Sequence, residues 1–263
     1  MPPPPATEGF QPRAHFAPTT PLRRLRFQVR LFGDLQTNTI YRDLRRELAG
    51  FSGRLLDVGC GNSPFRHLLD PAVTQYQGVD VAVAADFGYQ NPDTVYYDGH
   101  VLPFADASFD AVLCTEVLEH IAEPAETIRE IHRVLKPGGR LLLTLPWSAR
   151  FHYQPHDYHR YTPSMLRQLF VAFATPVVTP RGTDLSSIAS KVVVSYARNV
   201  LALKPARAVD WLLWPVRMFV AAAAFPLLLL ALGLGHAGIQ WGLGSSDDPL
   251  GYTLTARKPV SHG

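Results

Sequence analysis

The sequence predicts an α/β fold, a doubly wound and mostly parallel sheet. Short apolar runs alternate with helical runs between residues 53 and 146. The runs GRLLDVG (53–59) and GRLLLTLP (139–146) read as strands of the type buried on both faces. A glycine turn, Gly59-Cys60-Gly61, follows the first of them directly. Strand–helix alternation of this kind builds βαβ units.

The chain begins with a proline-rich stretch, 1–21, which cannot pack a core and is expected to be a mobile, disordered tail. Residues 22–50 form a basic amphipathic region. Leu22, Leu25, Val29 and Phe32 recur at helical spacing among Arg23, Arg24, Arg26 and Arg30, and a second short helix is expected near Ile40, Leu44 and Leu48. The pair is expected to pack against the main domain. The competing expectation is a basic face resting on anionic lipid.

The core is expected over 51–182. After the first strand, SPFRHLLD (63–70) reads as a helix, YQGVDVA (76–82) and FDAVLCT (109–115) as strands, and PAETIREIHRVLK (124–136) as a helix. Proline opens that last helix and glycines follow it, the usual asymmetry. FHYQPHDYHRY (151–161) is a polar aromatic loop, and Thr162-Pro163 opens a short helix through Leu166, Leu169 and Phe170. Residues 183–249 read as a helical insertion. Its first helix, 185–203, carries Leu185, Ile188, Val192, Tyr196, Val200 and Leu203 at helical spacing. The alternating GYTLTARK (251–258) is the last strand, in a closing segment 250–263.

The chain has 263 residues, 47% hydrophobic and 18% charged, which excludes wholesale disorder and a disulfide-stapled miniprotein. A net charge of +3 is too weak to make nucleic acid the main partner. Cys60 and Cys114 are too few for a disulfide framework, and the first residues lack the apolar core of a signal peptide. A cytoplasmic setting is expected.

The strongest local signal is LLDVGCGNSPF (55–65). Its glycines let the chain turn sharply and let a ligand approach the main chain. Ser63 and Pro64 suit a helix N-terminus, which favours an anionic group. A dinucleotide fingerprint needs a third glycine where Pro64 stands, and the lysine of a phosphate-cradling loop is absent. A nucleoside with a small carboxylate remains. Asp80, at the tip of the second strand, can accept from both ribose hydroxyls. Asp98-Gly99 could meet an adenine edge. Cys114, Thr115, Glu116, Glu119 and His120 end the fourth strand, across the topological switch point.

LLDVGCGNSPF, YQGVDV, DGHVLPFADASFDAVLCTEVLEHI and EIHRVLKPGGRLLLTLP together resemble the class I S-adenosylmethionine-dependent methyltransferases, in the branch called methyltransferase domain 11. PHDYHRYTPSMLRQL (155–169) is similar to a segment of bacterial members acting around glycans, lipids and other small metabolites. The resemblance implies a seven-stranded Rossmann-like sheet with an apolar helical insertion before the last strand, and S-adenosylmethionine as cofactor. It implies that Asp57, Gly59 and Gly61 shape the methionine end of the cofactor site, with Cys60 in the same turn. Asp80, beside Val81, would hold the ribose, and Asp98 and Gly99 would meet the adenine. Cys114 and Glu116 would line the floor between cofactor and substrate. Ser63 stands where the family commonly has its third loop glycine.

The implied chemistry is direct in-line transfer of a methyl group to a small-molecule or lipid-linked acceptor. The alternative is a non-catalytic nucleoside-binding or scaffold protein of the same fold. Proton removal from the acceptor points to His120, His156 and Glu116, and more weakly to Tyr161. His152, His156 and His159 are spaced like metal ligands on a helix, but Pro155 interrupts them, and no metal is expected.

Met218 to Gly235 contains no charged residue. A single membrane crossing would strand the last strand on the wrong side, and Pro226 interrupts the run. A shallow hairpin or two interfacial helices over 211–241 are therefore expected, with Trp211, Trp214 and Trp241 at one interface and Arg207 and Arg217 adding attraction to anionic lipid. The competing expectation is that these helices cover the sheet edge or form a homodimer surface.

Overall fold

The computed structural model describes residues 18–82, 84, 91, 93–201 and 208–260. Most of the expected tail, Leu203 and Arg207 lie outside them. Seven strands form one sheet: β1 (Gly53–Val58), β2 (Thr74–Val81), β3 (Thr94–Tyr97), β4 (Phe109–Thr115), β5 (Leu135–Pro146), β6 (Ala174–Arg181) and β7 (Gly251–Arg257). Their order is β3-β2-β1-β4-β5-β7-β6. The first five run parallel, and β7 lies antiparallel between β5 and β6. The order reverses between β1 and β4, which places the crevice of a doubly wound sheet at their carboxyl ends.

Strand periodicity divides the core. Leu56, Val58, Val112, Cys114, Leu141 and Leu143 pack with Ile128 and Ile131 of helix α3 (Pro124–Val134). Leu55, Ala111, Leu113 and Leu142 pack on the other face with Ile40, Leu44 and Leu48, from and just after helix α2 (Leu35–Glu47). Both faces are covered, which is why the strands read as continuous apolar runs.

Several expectations need correction. SPFRHLLD is not a helix; only Arg66–Leu68 makes a 3₁₀ turn. Ser63 stands at φ 49°, in the left-handed region, so the chain does not enter a helix there. α3 stops at Val134, and Leu135 already pairs with Phe109. β6 was hidden by Pro176 and Pro180; it is an edge strand, where proline is tolerated.

Helix α1 (Pro21–Gly33), capped by Thr20, buries Phe27 and Leu31 and leaves Leu22, Leu25, Val29 and Phe32 exposed. Arg23, Arg24 and Arg26 are exposed beside that stripe. Helix α4 (Pro163–Leu169) forms where expected. Helix α5 (Asp184–Tyr196), continued by a π turn at Ala197–Leu201, also turns its expected face outward. It buries Ser186, Ser187, Ala189 and Ser190, while Ile188 and Val192 are exposed.

The expected break in 211–241 is absent. Helix α6 (Ala208–Trp241) runs on through Pro215 and Pro226. The hairpin is instead made by α5 and α6. Gly238 sits against Thr183, Gly235 against Ala189, and the Tyr196 hydroxyl donates to the Ala221 carbonyl, so the two run antiparallel. The chain thus leaves the sheet and returns on one side. Trp214 and Trp241 stand about 40 Å apart along α6 at 1.5 Å per residue, so they share one interface only if the helix lies flat.

Candidate active site

The carboxyl ends of β1, β2 and β4 build the site. Gly59 (φ 68°) and Gly61 (φ 49°) both use left-handed backbone. A Cβ on Gly59 would lie 2.4 Å from Val117 Cγ2, so the turn after β1 packs directly on the turn after β4. The Gly61 N–H donates to Asp80 Oδ2 (2.9 Å), and the Val81 N–H to Asp80 Oδ1 (2.8 Å). The carboxylate is thereby fixed at the tip of β2 beside the glycine turn. Burial raises its pKa, against those two bonds.

Asp57 is buried at the end of β1 and accepts from the Tyr76 hydroxyl (2.7 Å). Burial pushes its pKa to about 7, with the nearby Asp80 charge adding to the shift. Ser63 Oγ bonds to the same hydroxyl (2.8 Å) and accepts from Asn91 Nδ2 (2.9 Å). No motif in the sequence marks Tyr76 or Asn91. The signal for Tyr76 was its place two residues before Gly78, which pairs with Asp57 across β1 and β2. Strand alternation therefore puts it on the Asp80 face. Asp98 is exposed and accepts from the His100 N–H (2.9 Å), and Gly99 (φ 92°) turns the chain beside it.

The cysteine side chains point elsewhere. Cys114 is fully buried in the main core, and Cys60 bonds Thr94 Oγ1 at 3.2 Å. Burial raises both thiols, Cys60 to about 12, so neither is a nucleophile. Glu116 (φ 52°) is engaged too: Arg181 Nη2, fully buried, donates to its Oε1 at 2.7 Å. Arg181 also donates to the Leu145 carbonyl and to Thr39 Oγ1. Nothing in the local sequence announced this arginine, which the end of β6 delivers.

Beyond β4, the 3₁₀ turn Leu118–His120 meets the aromatic loop. The Tyr158 N–H donates to the Glu119 carbonyl (2.8 Å), and the Tyr161 hydroxyl to the Leu118 carbonyl (3.0 Å). Arg160 holds both oxygens of Asp157, at 2.6 and 2.9 Å. His120 is kept neutral, its pKa lowered to about 4 mainly by burial. The three spaced histidines do not converge. His156 bonds the Tyr158 hydroxyl, and His159 the Ala122 carbonyl, while His152 turns to Asp157. A cavity of about 380 Å³ lined by Asn38, Arg42, His236 and Trp241 lies between α2 and α6 and shares no residue with this site.

The geometry suits a polar nucleoside. Asp80 keeps lone pairs for hydroxyl donors, and buried Asn62 Nδ2 and Thr115 Oγ1 have no hydrogen-bond partner among the described residues. Residues 56–143 match the family model described as a methyltransferase domain. The chain is 37% identical over 115 residues to ubiquinone biosynthesis O-methyltransferase of Xanthomonas oryzae pv. oryzae, covering 40% of this chain and 46% of that protein. It is 35% identical over 156 residues to an uncharacterized methyltransferase of Mycolicibacterium vanbaalenii, covering 53% and 61%. The chain thus spans about half the length of the curated relatives it matches. Phosphoethanolamine N-methyltransferase 2 of Haemonchus contortus, solved with phosphomonomethylethanolamine and S-adenosylhomocysteine, shares the fold at a TM-score of 0.50 and 17% identity, over 83% of this chain and 52% of that one. Residues 56–143 thus carry a methyltransferase domain.

Proposed function

We propose that this protein transfers the methyl group of S-adenosylmethionine, by direct in-line displacement, to a small-molecule or lipid-linked acceptor at a membrane surface. One observation carries the reading: the glycine turn and the Asp80 carboxylate meet at the switch point of a methyltransferase sheet, joined by the 2.9 Å Gly61–Asp80 bond. The cofactor supplies an activated methyl on a sulfonium. The chain's own work is to hold the nucleoside by Asp80, keep the glycine turn open to its methionine end, and present the acceptor from the 147–161 side. Glu116, committed to Arg181, positions the floor and is not the base. The ubiquinone relative's named pathway fits an apolar acceptor, and the exposed surface agrees with one.

That surface is a lipid-facing one in this reading. The most apolar 18-residue window of Leu212–Trp241 has a mean hydropathy of 2.3, and Leu212, Phe219, Leu227 and Leu230 are all more than half exposed. Phe32 of α1 stacks on His236 of α6 at 5.0 Å, which joins the arginine-flanked stripe of α1 to the apolar helix. Exposed apolar side chains with arginines beside them match an anionic bilayer, whose headgroups attract the cations while the near leaflet takes the apolar residues. A crossing is not required, because the α5–α6 hairpin returns the chain to β7 on the same side.

The test is turnover of labelled S-adenosylmethionine in membrane extract, together with flotation on vesicles. Labelled product and co-flotation with anionic vesicles, reduced by Phe219→Asp, are expected. Cofactor binding without turnover would favour the non-catalytic alternative. A salt-independent dimer that ignores vesicles would assign the apolar face to a second copy.

Cofactor affinity should depend on pH through Asp57. A cationic methionine end favours the carboxylate, whereas the free protein holds Asp57 protonated below about 7. Binding must then expel a proton at lower pH. Affinity is therefore expected to rise with pH and level off above about 7, and titration calorimetry in buffers of different ionisation enthalpy should detect the released proton. A flat profile from pH 5 to 8 would exclude Asp57.

A further inference from the structure

We infer that Glu119, His120 and His152 form a binding site for a divalent transition-metal ion. One ligand atom from each lies within 4.8 Å of the others. Glu119 is fully buried, and neither carboxylate oxygen has a hydrogen-bond partner among the described residues. An ionised carboxylate left so is costly, and a cation is the partner that relieves it.

The histidines are prepared in the manner of metal ligands. His120 Nδ1 lies 2.6 Å from the His156 carbonyl oxygen. His152 Nδ1 lies 2.9 Å from the Arg150 carbonyl oxygen and 3.1 Å from Asp157 Oδ2. Each ring thus places its Nδ1–H on an oxygen, which fixes the tautomer and leaves the Nε2 lone pair for an ion. His120 Nε2 faces Glu119 Oε1 at 3.6 Å, and the two imidazole centroids are 4.9 Å apart, edge to face. Asp157 is itself held by Arg160 through both carboxylate oxygens.

Two imidazoles and one carboxylate with open positions suit zinc, cobalt, manganese or iron(II) better than magnesium or calcium. The site itself rests on this geometry alone; its use rests on the proposed methyl transfer. There the ion would take an acceptor hydroxyl oxygen and lower its pKa. The hydroxyl proton leaves to water and the oxygen forms a bond to the methyl carbon. The carbon–sulfur bond breaks with its electron pair on sulfur, giving a neutral thioether. The acceptor class is then an alcohol or phenol, and His120 is a ligand, not a base.

The test uses the full chain after chelator treatment and dialysis, with cobalt(II) as the optical probe and zinc(II) as competitor. One cobalt per chain is expected, with visible d–d absorption that zinc abolishes. Glu119→Gln and His152→Ala should remove that absorption, and Asp157→Asn should weaken binding about 10–100-fold. His159→Ala should bind as the wild type does. Glu119→Gln keeps shape and is judged on its melting curve, so it decides the matter even if His152→Ala fails to fold. No stoichiometric cobalt in the wild type, or equal cobalt binding by Glu119→Gln, overturns the site and leaves Glu119 a neutral buried acid. Calorimetry with S-adenosylmethionine on the same samples separates the two readings: either ligand can bind while the other does not.

Discussion

Gly59→Ala is expected to abolish measurable cofactor binding and to lower stability by several kcal/mol. Two costs combine at this position. Its φ of 68° is left-handed, which costs a residue with a Cβ about 1–2 kcal/mol. The new Cβ would also stand 2.4 Å from Val117 Cγ2 and 2.7 Å from Cγ1, and forced repacking costs about 1–3 kcal/mol. Relief must come from moving the turn after β1 or the turn after β4, and both border the proposed cofactor. Calorimetry with S-adenosylmethionine and a urea melt check this. Val117→Ala in the same chain should recover the steric part but not the backbone part. Wild-type affinity in Gly59→Ala would show that the turn does not hold the ligand.

Arg181→Ala should be the most destabilising single change at the site's floor. Its guanidinium is fully buried and bonds Glu116, Leu145 and Thr39, linking β6, β4's end, β5 and α2. Removing one partner of a buried pair costs about 3–5 kcal/mol, because the other charge is left uncompensated. Glu116 is partly open to water, with 24% of its side chain exposed, so the low end is expected. Glu116→Gln keeps an acceptor and should cost less. In a double-mutant cycle by urea unfolding, Arg181→Ala and Glu116→Gln should couple. Additive effects would mean that the pair is incidental to stability.

The parallel part of the fold was legible because two-faced burial writes itself as nearly continuous apolar runs, as in Leu55 to Val58 and Leu141 to Leu145, interrupted only by Asp57 and Thr144. β6 was not, because an edge strand needs neither the apolar run nor the absence of proline. The helical insertion misled in an instructive way. Periodicity in α1 and α5 found an apolar stripe, but spacing alone does not say what a stripe faces, and here Val29 and Ile188 point away from the core. Pro226 suggested a break, since an interior proline costs one helical hydrogen bond and a ring clash, yet α6 continues through it. At the site, Gly59, Gly61 and Asp80 were readable from spacing along βαβ units. Arg181 and the meeting of Glu119, His120 and His152 depend on segments brought together by the fold, and no local pattern encodes them.

The central claim is that a sulfonium nucleoside is held at the switch point by Asp80. The most direct measurement is calorimetric titration of S-adenosylmethionine into the wild type and into Asp80→Ala, with Asp80→Asn to keep an acceptor for the Gly61 N–H. Losing charge-assisted bonds to the ribose costs about 1.5–3 kcal/mol, so affinity should fall about 10- to 100-fold in Asp80→Ala. Equal affinity in wild type and Asp80→Ala, with both chains folded, would contradict the account.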